Sequence, residues 1–133
     1  MNAKTLLAGV LAGLAIMLAN FVMHGLIMGQ TYTRYPEVFN QEATNPAWFA
    51  LVSVLIAIVL AVLFAKTRGA WAKGLGGGAV FGLLVGMTHF FSNFYDSLVY
   101  EGFPYFLAWC HGGMDAIAFT LGGVVLGLVI KGD

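Results

Sequence analysis

Long apolar stretches separated by short polar breaks run the whole length of the chain. A helix needs about 20 mostly apolar residues to cross a hydrocarbon core of roughly 30 Å. Four segments meet that length: 5–29, 46–65, 74–99 and 104–130. The pattern predicts an all-α integral membrane protein, a left-handed four-helix bundle forming one domain over 1–133. Pro36, Pro46 and Pro104 all lie outside span interiors, two of them where a first helical turn begins and the missing N–H is harmless. Asn45 before Pro46 is the expected N-cap. Residues 1–4 and the apolar run after them could pass for a secretory signal cleaved after Ala15. The run continues to Met28, too long for a signal, so a retained first helix is expected.

Within the spans, small and polar positions fall on stripes. In the third span Gly74, Gly78, Gly82 and Gly86 recur every four residues, and the same face continues through His89, Asn93 and Asp96. The first span places Gly9 and Gly13 below Asn20 and His24; the fourth runs from His111 and Asp115 through Ala118 to Gly122. The second has Ser53, Ala57, Ala61 and Ala65. Small residues let membrane helices approach closely, and polar residues in a membrane avoid lipid. Both arguments select the same face on three helices. At a rise of about 1.5 Å per residue, His24, Asn93, His111 and Ser53 fall roughly 8–10 Å below one membrane boundary. Asn20, His89 and Asp115 fall roughly 14–15 Å below it, with Asp96 nearer the rim. The expectation is one polar cup above a tightly packed Gly/Ala base.

Composition narrows the class. Of 133 residues, 60% are hydrophobic and 9% charged, with no net charge. A soluble domain carries about 25% charged residues, so a soluble enzyme, a disordered tail and a nucleic-acid binder are excluded, and the lipid bilayer is the first partner. Five of the six cations (Lys4, Lys66, Arg68, Lys73, Lys131) lie at the termini or in the 66–73 connector, against Arg34 alone on the other side. The positive-inside rule then puts both termini in the cytoplasm, as in a bacterial inner-membrane protein, and the cup in the outer leaflet. Tyr32, Tyr35, Trp48, Tyr95, Tyr100, Tyr105 and Trp109 crowd the outer boundary, and Trp71 marks the inner one. Tyr32, Tyr35, Val38 and Phe39 have helix-like spacing in the 30–45 connector, compatible with a lid or with an ordinary loop.

Asn20, His24, Ser53, His89, Asn93, Asp96, His111 and Asp115 are the candidate ligand-binding residues. His24, His89 and His111 with Asp115 are candidate metal ligands, since imidazole and carboxylate suit transition metals. His24 and His111, on facing helices at similar depth and beside Gly25, Gly112 and Gly113, are the pair a b-type haem would use. A quinone or lipid headgroup is a further candidate. Equally, these groups could hydrogen-bond one another and simply lock the bundle. A proton relay through Asp96, His89 and Asp115 would serve a proton-coupled transporter, but the cytoplasmic half has no polar path. No nucleophile is paired with a base: Cys110 neighbours His111 but sits about 100° away around the helix. Enzyme activity is not indicated. A single cysteine also excludes an internal disulfide.

Aligning Gly13 with Gly82 pairs Asn20 with His89 and His24 with Asn93, so a duplicated two-helix hairpin in parallel repeat is one expectation. With four spans, a small-residue-rich third helix and a polar first helix around N-F-V-M-H-G (20–25), the chain resembles small uncharacterised bacterial membrane proteins of the domain-of-unknown-function kind. That resemblance implies an inner-membrane protein and no activity. The expected role is to hold a cation, cofactor or small ligand in the cup, as a homo-oligomer or a subunit of a larger membrane complex.

Overall fold

The computed structural model describes residues 2–39 and 45–131. Helix α1 (Ala3–Asn20) starts at Asn2, whose Oδ1 accepts hydrogen bonds from the Thr5 N–H (2.8 Å) and hydroxyl (2.9 Å). At Phe21 the helix widens into a π-helical segment, Phe21–Ile27, closed by the Met28 N–H donating to the Met23 carbonyl five residues back at 2.9 Å. A short α2 (Gly29–Tyr32) follows. Helix α3 (Pro46–Lys66) begins as its sequence requires, with Asn45 Oδ1 accepting from the Ala47 N–H at 3.1 Å and Pro46 in the first turn.

A 3₁₀ turn (Arg68–Ala70) and Gly74, at a φ of +73° that an L side chain rarely adopts, lead into α4 (Leu75–Ser92). The third span is interrupted at Asn93 and resumes as α5 (Phe94–Val99); α6 (Tyr105–Val129) completes the chain. No strand occurs among the described residues. Four helical runs are long and apolar enough to cross a membrane: Ala3–Ile27, Pro46–Lys66, Leu75–Val99 and Tyr105–Val129. Their outward residues suit lipid: Leu26 and Ile27 are each 67% exposed, a fraction that water would not tolerate along whole helices.

The helices pack in the order α3–α1–α6–α4, with α4 on α6 the most extensive contact. Glycines make that contact close. A Cβ at Gly86 would lie 2.7 Å from the Ala116 Cα, and one at Gly78 2.8 Å from the Gly127 Cα. On the other side of the bundle, a Cβ at Gly13 would meet the Val54 Cα at 2.6 Å and one at Gly9 the Ile58 Cα at 2.7 Å. Gly9 and Gly13 thus face α3, whereas Gly122 of α6 receives the Ile16 side chain of α1.

The backbones of α3 and α4 stay apart, although a twofold-related duplication would pair them as it pairs α1 with α6. At the end carrying the 67–74 connector, aromatic side chains plug the gap between them: Phe64 and Phe81 rings are 5.1 Å apart, and Trp71 lies 5.4 Å from Phe81. This is the arginine end, because Arg68 spans it, donating to the carbonyls of Ile130 (3.0 Å), Trp71 (2.9 Å) and Ala72 (3.2 Å). The opposite, histidine end is not plugged, and the gap there becomes a cavity.

Candidate functional site

Two groups of polar side chains occupy the histidine end. In the first, the Tyr32 hydroxyl sits between two imidazoles, hydrogen-bonded to His24 Nδ1 and, at 3.0 Å, to His111 Nε2. The His24 and His111 ring centroids are 5.3 Å apart. Phe39 closes over the group, 4.6 Å from the Tyr32 ring and 6.1 Å from His111. Tyr35 packs on Phe106 in the same layer, at 6.0 Å. The connector from α2 therefore folds back over the bundle end, and Tyr32 is only 8% exposed. Burial pushes the Tyr32 phenol up to about 12, and the neighbouring Cys110 and Asp115 add to the effect.

The second group lines a cavity of about 320 Å³ between α1, α3, α4 and α6. Its polar walls are Asn20, Ser53, His89 and Asp115; Ile16, Ile56 and Phe119 supply apolar surface, and the exposed Trp48, Phe49 and Val52 form a rim on α3. Asn93 does not line it but fixes one wall: its Nδ2 donates to Asp115 Oδ2 and to the His89 carbonyl, both at 2.8 Å. The His89 ring lies on Phe119, centroids 4.3 Å apart. Asn20 Oδ1 is buried and has no hydrogen-bond partner among the described residues. A buried acceptor left unpaired costs about 1–3 kcal/mol, so this atom stands out.

The single cup expected from the stripes is thus two sites, about one helical turn apart along the bundle. Residues four apart in a helix share a face but lie about one turn apart along its axis. Asn20, at the end of α1, faces the cavity, while His24, one turn further on in the π-helical segment, meets Tyr32. In α6 His111 and Asp115 divide in the same way, one residue to each site. Ser53, expected at the level of His24, lies instead with the deeper group.

Two expectations need correction. Asp96 does not join either group: the chain breaks at Asn93, and Asp96 is exposed in the first turn of α5. The proposed metal ligands His24, His89, His111 and Asp115 are divided between the two sites, and no group of three His, Cys, Asp or Glu is placed to hold a metal ion among the described residues. Nor does the His24–His111 pair leave a slot for a porphyrin. Their ring centroids are only 5.3 Å apart, and the Tyr32 hydroxyl is bonded to both rings. Tyr32 and Phe39 are site residues that the stripes do not select. The helix-like spacing of Tyr32, Tyr35 and Phe39 is the available signal; residues 40–44 of that connector lie outside the described residues.

The family described as Protein of unknown function (DUF1761) matches residues 7–127, which include both groups of side chains. No curated protein and no solved structure matches the chain.

Proposed function

We propose that this chain, which belongs to the DUF1761 family, is a membrane-embedded binding protein whose cavity takes the polar end of a small amphipathic molecule from the bilayer. The observation that carries this reading is a cavity walled by Asn20, Ser53, His89 and Asp115, at which Asn20 keeps a buried amide oxygen without a hydrogen-bond partner among the described residues. An amide oxygen accepts only, and the Asp115 carboxylate, with one oxygen held by Asn93, has another available. The complementary ligand therefore donates, through a hydroxyl or an ammonium group. Ser53 and His89 can do either. The volume of about 320 Å³ is at the small end of ligand pockets, and the rim of Trp48, Phe49 and Val52 suits an apolar tail left among the lipids. By the Lys and Arg asymmetry the histidine end faces outward and both termini lie in the cytoplasm.

A metal ion is the weaker occupant, because two of the three imidazoles are turned toward Tyr32. Proton-coupled transport, the alternative use of the same groups, lacks a second opening: Ala57, Ala61, Phe64 and Leu126 are at most 1% exposed and close the other half. The His24–Tyr32–His111 group reads as a lock holding the connector over the binding site.

The test is native mass spectrometry of the full chain released from mild detergent, followed by extraction of retained small molecules. A stoichiometric adduct carrying hydroxyl or amine groups, lost in Asn20→Leu and Asp115→Leu but kept in Tyr32→Phe, is the expected result. Identical retention in wild type and both Leu variants, or none in any of them, overturns it.

A further inference from the structure

At the arginine end a second cavity, of about 250 Å³, is lined by Arg68, Lys73, Gly74, Gly127, Leu128 and Lys131. Three of its six lining residues are cations and none is acidic. The acids of the described chain, Glu37, Asp96, Glu101 and Asp115, lie in the far connectors, in α5 or in the half of α6 nearer the histidine end. The guanidinium of Arg68 is held by three backbone carbonyls, which leave its charge uncompensated, and its Nη2 is buried without a partner among the described residues. Gly74 also lines the cavity, and it opens α4 without any side-chain cap. The free N–H groups and the positive dipole end of an 18-residue helix thus lie beside it.

An uncapped helix start, a guanidinium without a carboxylate partner among the described residues and two lysines around one cavity make an anion site. We infer that this cavity binds a phosphate group, supplied by the headgroup of an anionic phospholipid. The cavity lies where two spans end, at the depth of headgroups, and basic pockets between membrane helices recognise such lipids. The exposed Leu75 and Leu128 beside it would meet the acyl chains. Lys4 and Lys66, at the same end but not lining the cavity, give the internal comparison.

The experiment reconstitutes the full chain in vesicles of phosphatidylcholine with a minor share of phosphatidylglycerol. Retained lipid is then read by native mass spectrometry, with and without millimolar inorganic phosphate. Phosphatidylglycerol should be retained in preference to phosphatidylcholine. Each of Lys73→Gln and Lys131→Gln should reduce that preference about fivefold, as one cation near a lipid surface would, while Lys66→Gln leaves it unchanged. Arg68→Gln should abolish it; because Arg68 also ties Ile130 to the connector, the lysine variants decide if that protein does not fold. Phosphate adducts without lipid enrichment would keep the site and assign it to the free anion. An equal loss in Lys66→Gln means diffuse charge attraction and overturns the inference.

Discussion

The Tyr32 hydroxyl lies 3.0 Å from His111 Nε2, although 79 positions separate the two residues in the chain. Tyr32 belongs to the connector that follows the first span; His111 lies within the fourth. With His24 bonded to the same hydroxyl, one phenol ties the first span, the connector and the fourth span together.

Replacing Tyr32 by Phe keeps the ring on Phe39 and removes only the shared hydroxyl. Two half-buried imidazole nitrogens then lose their partner, which costs about 1–3 kcal/mol. The connector should loosen with it. Arg34, exposed two residues further on, is a reporter. Trypsin added to folded protein in detergent should cut after Arg34 several times faster in Tyr32→Phe than in wild type, with cleavage at Lys66 and Lys73 unaffected. Equal rates would mean that the hydroxyl does not hold the connector.

The same phenol sets a stability limit at high pH. Its pKa is about 12 in the fold against an ordinary 10.0, so between these values the folded state keeps a proton that the unfolded state has released. Stability from this group is fully present below pH 10.0 and is lost as pH rises toward about 12. Near-ultraviolet titration should show one of the five tyrosines ionising late, together with loss of the folded state. In Tyr32→Phe the late tyrosinate step should vanish. A wild-type titration in which all five ionise together near the ordinary value would show that the phenol is not buried.

Much of this arrangement is legible in the chain. Uninterrupted apolar runs have one solution in a bilayer, and Asn45-Pro46 announces a helix start by local chemistry alone. Asn20, His89 and Asp115 can be found because regular helices put residues four apart on one face. That periodicity fails where the backbone leaves it. Nothing about F-V-M-H-G-L-I marks a π-helical turn. The break at Asn93 likewise removes Asp96 from the stripe it would have continued. Tyr32 is hidden for a different reason: its partner is remote in sequence, and connector aromatics usually serve as interface anchors.

Two glycines in similar sequence contexts should respond oppositely to the same substitution. Gly86 is buried where α4 crosses α6, and a methyl group there would sit 2.7 Å from the Ala116 Cα. Backbone cannot yield as a flexible side chain does, so the helices must separate. Overpacking of this kind costs about 1–3 kcal/mol, and the separation would be felt at Ala116, the neighbour of Asp115. Gly113, within the regular α6, has open space for 4 Å around the point where a methyl group would sit. There Ala relieves the unfolded chain of glycine's extra freedom and should stabilise by about 0.5–1 kcal/mol. Thermal unfolding in one detergent should therefore place Gly86→Ala below wild type and Gly113→Ala above it. If Gly86→Ala melts with or above wild type, α4 and α6 are not in backbone contact at that level, and the wall that carries Asp115 is not held as described.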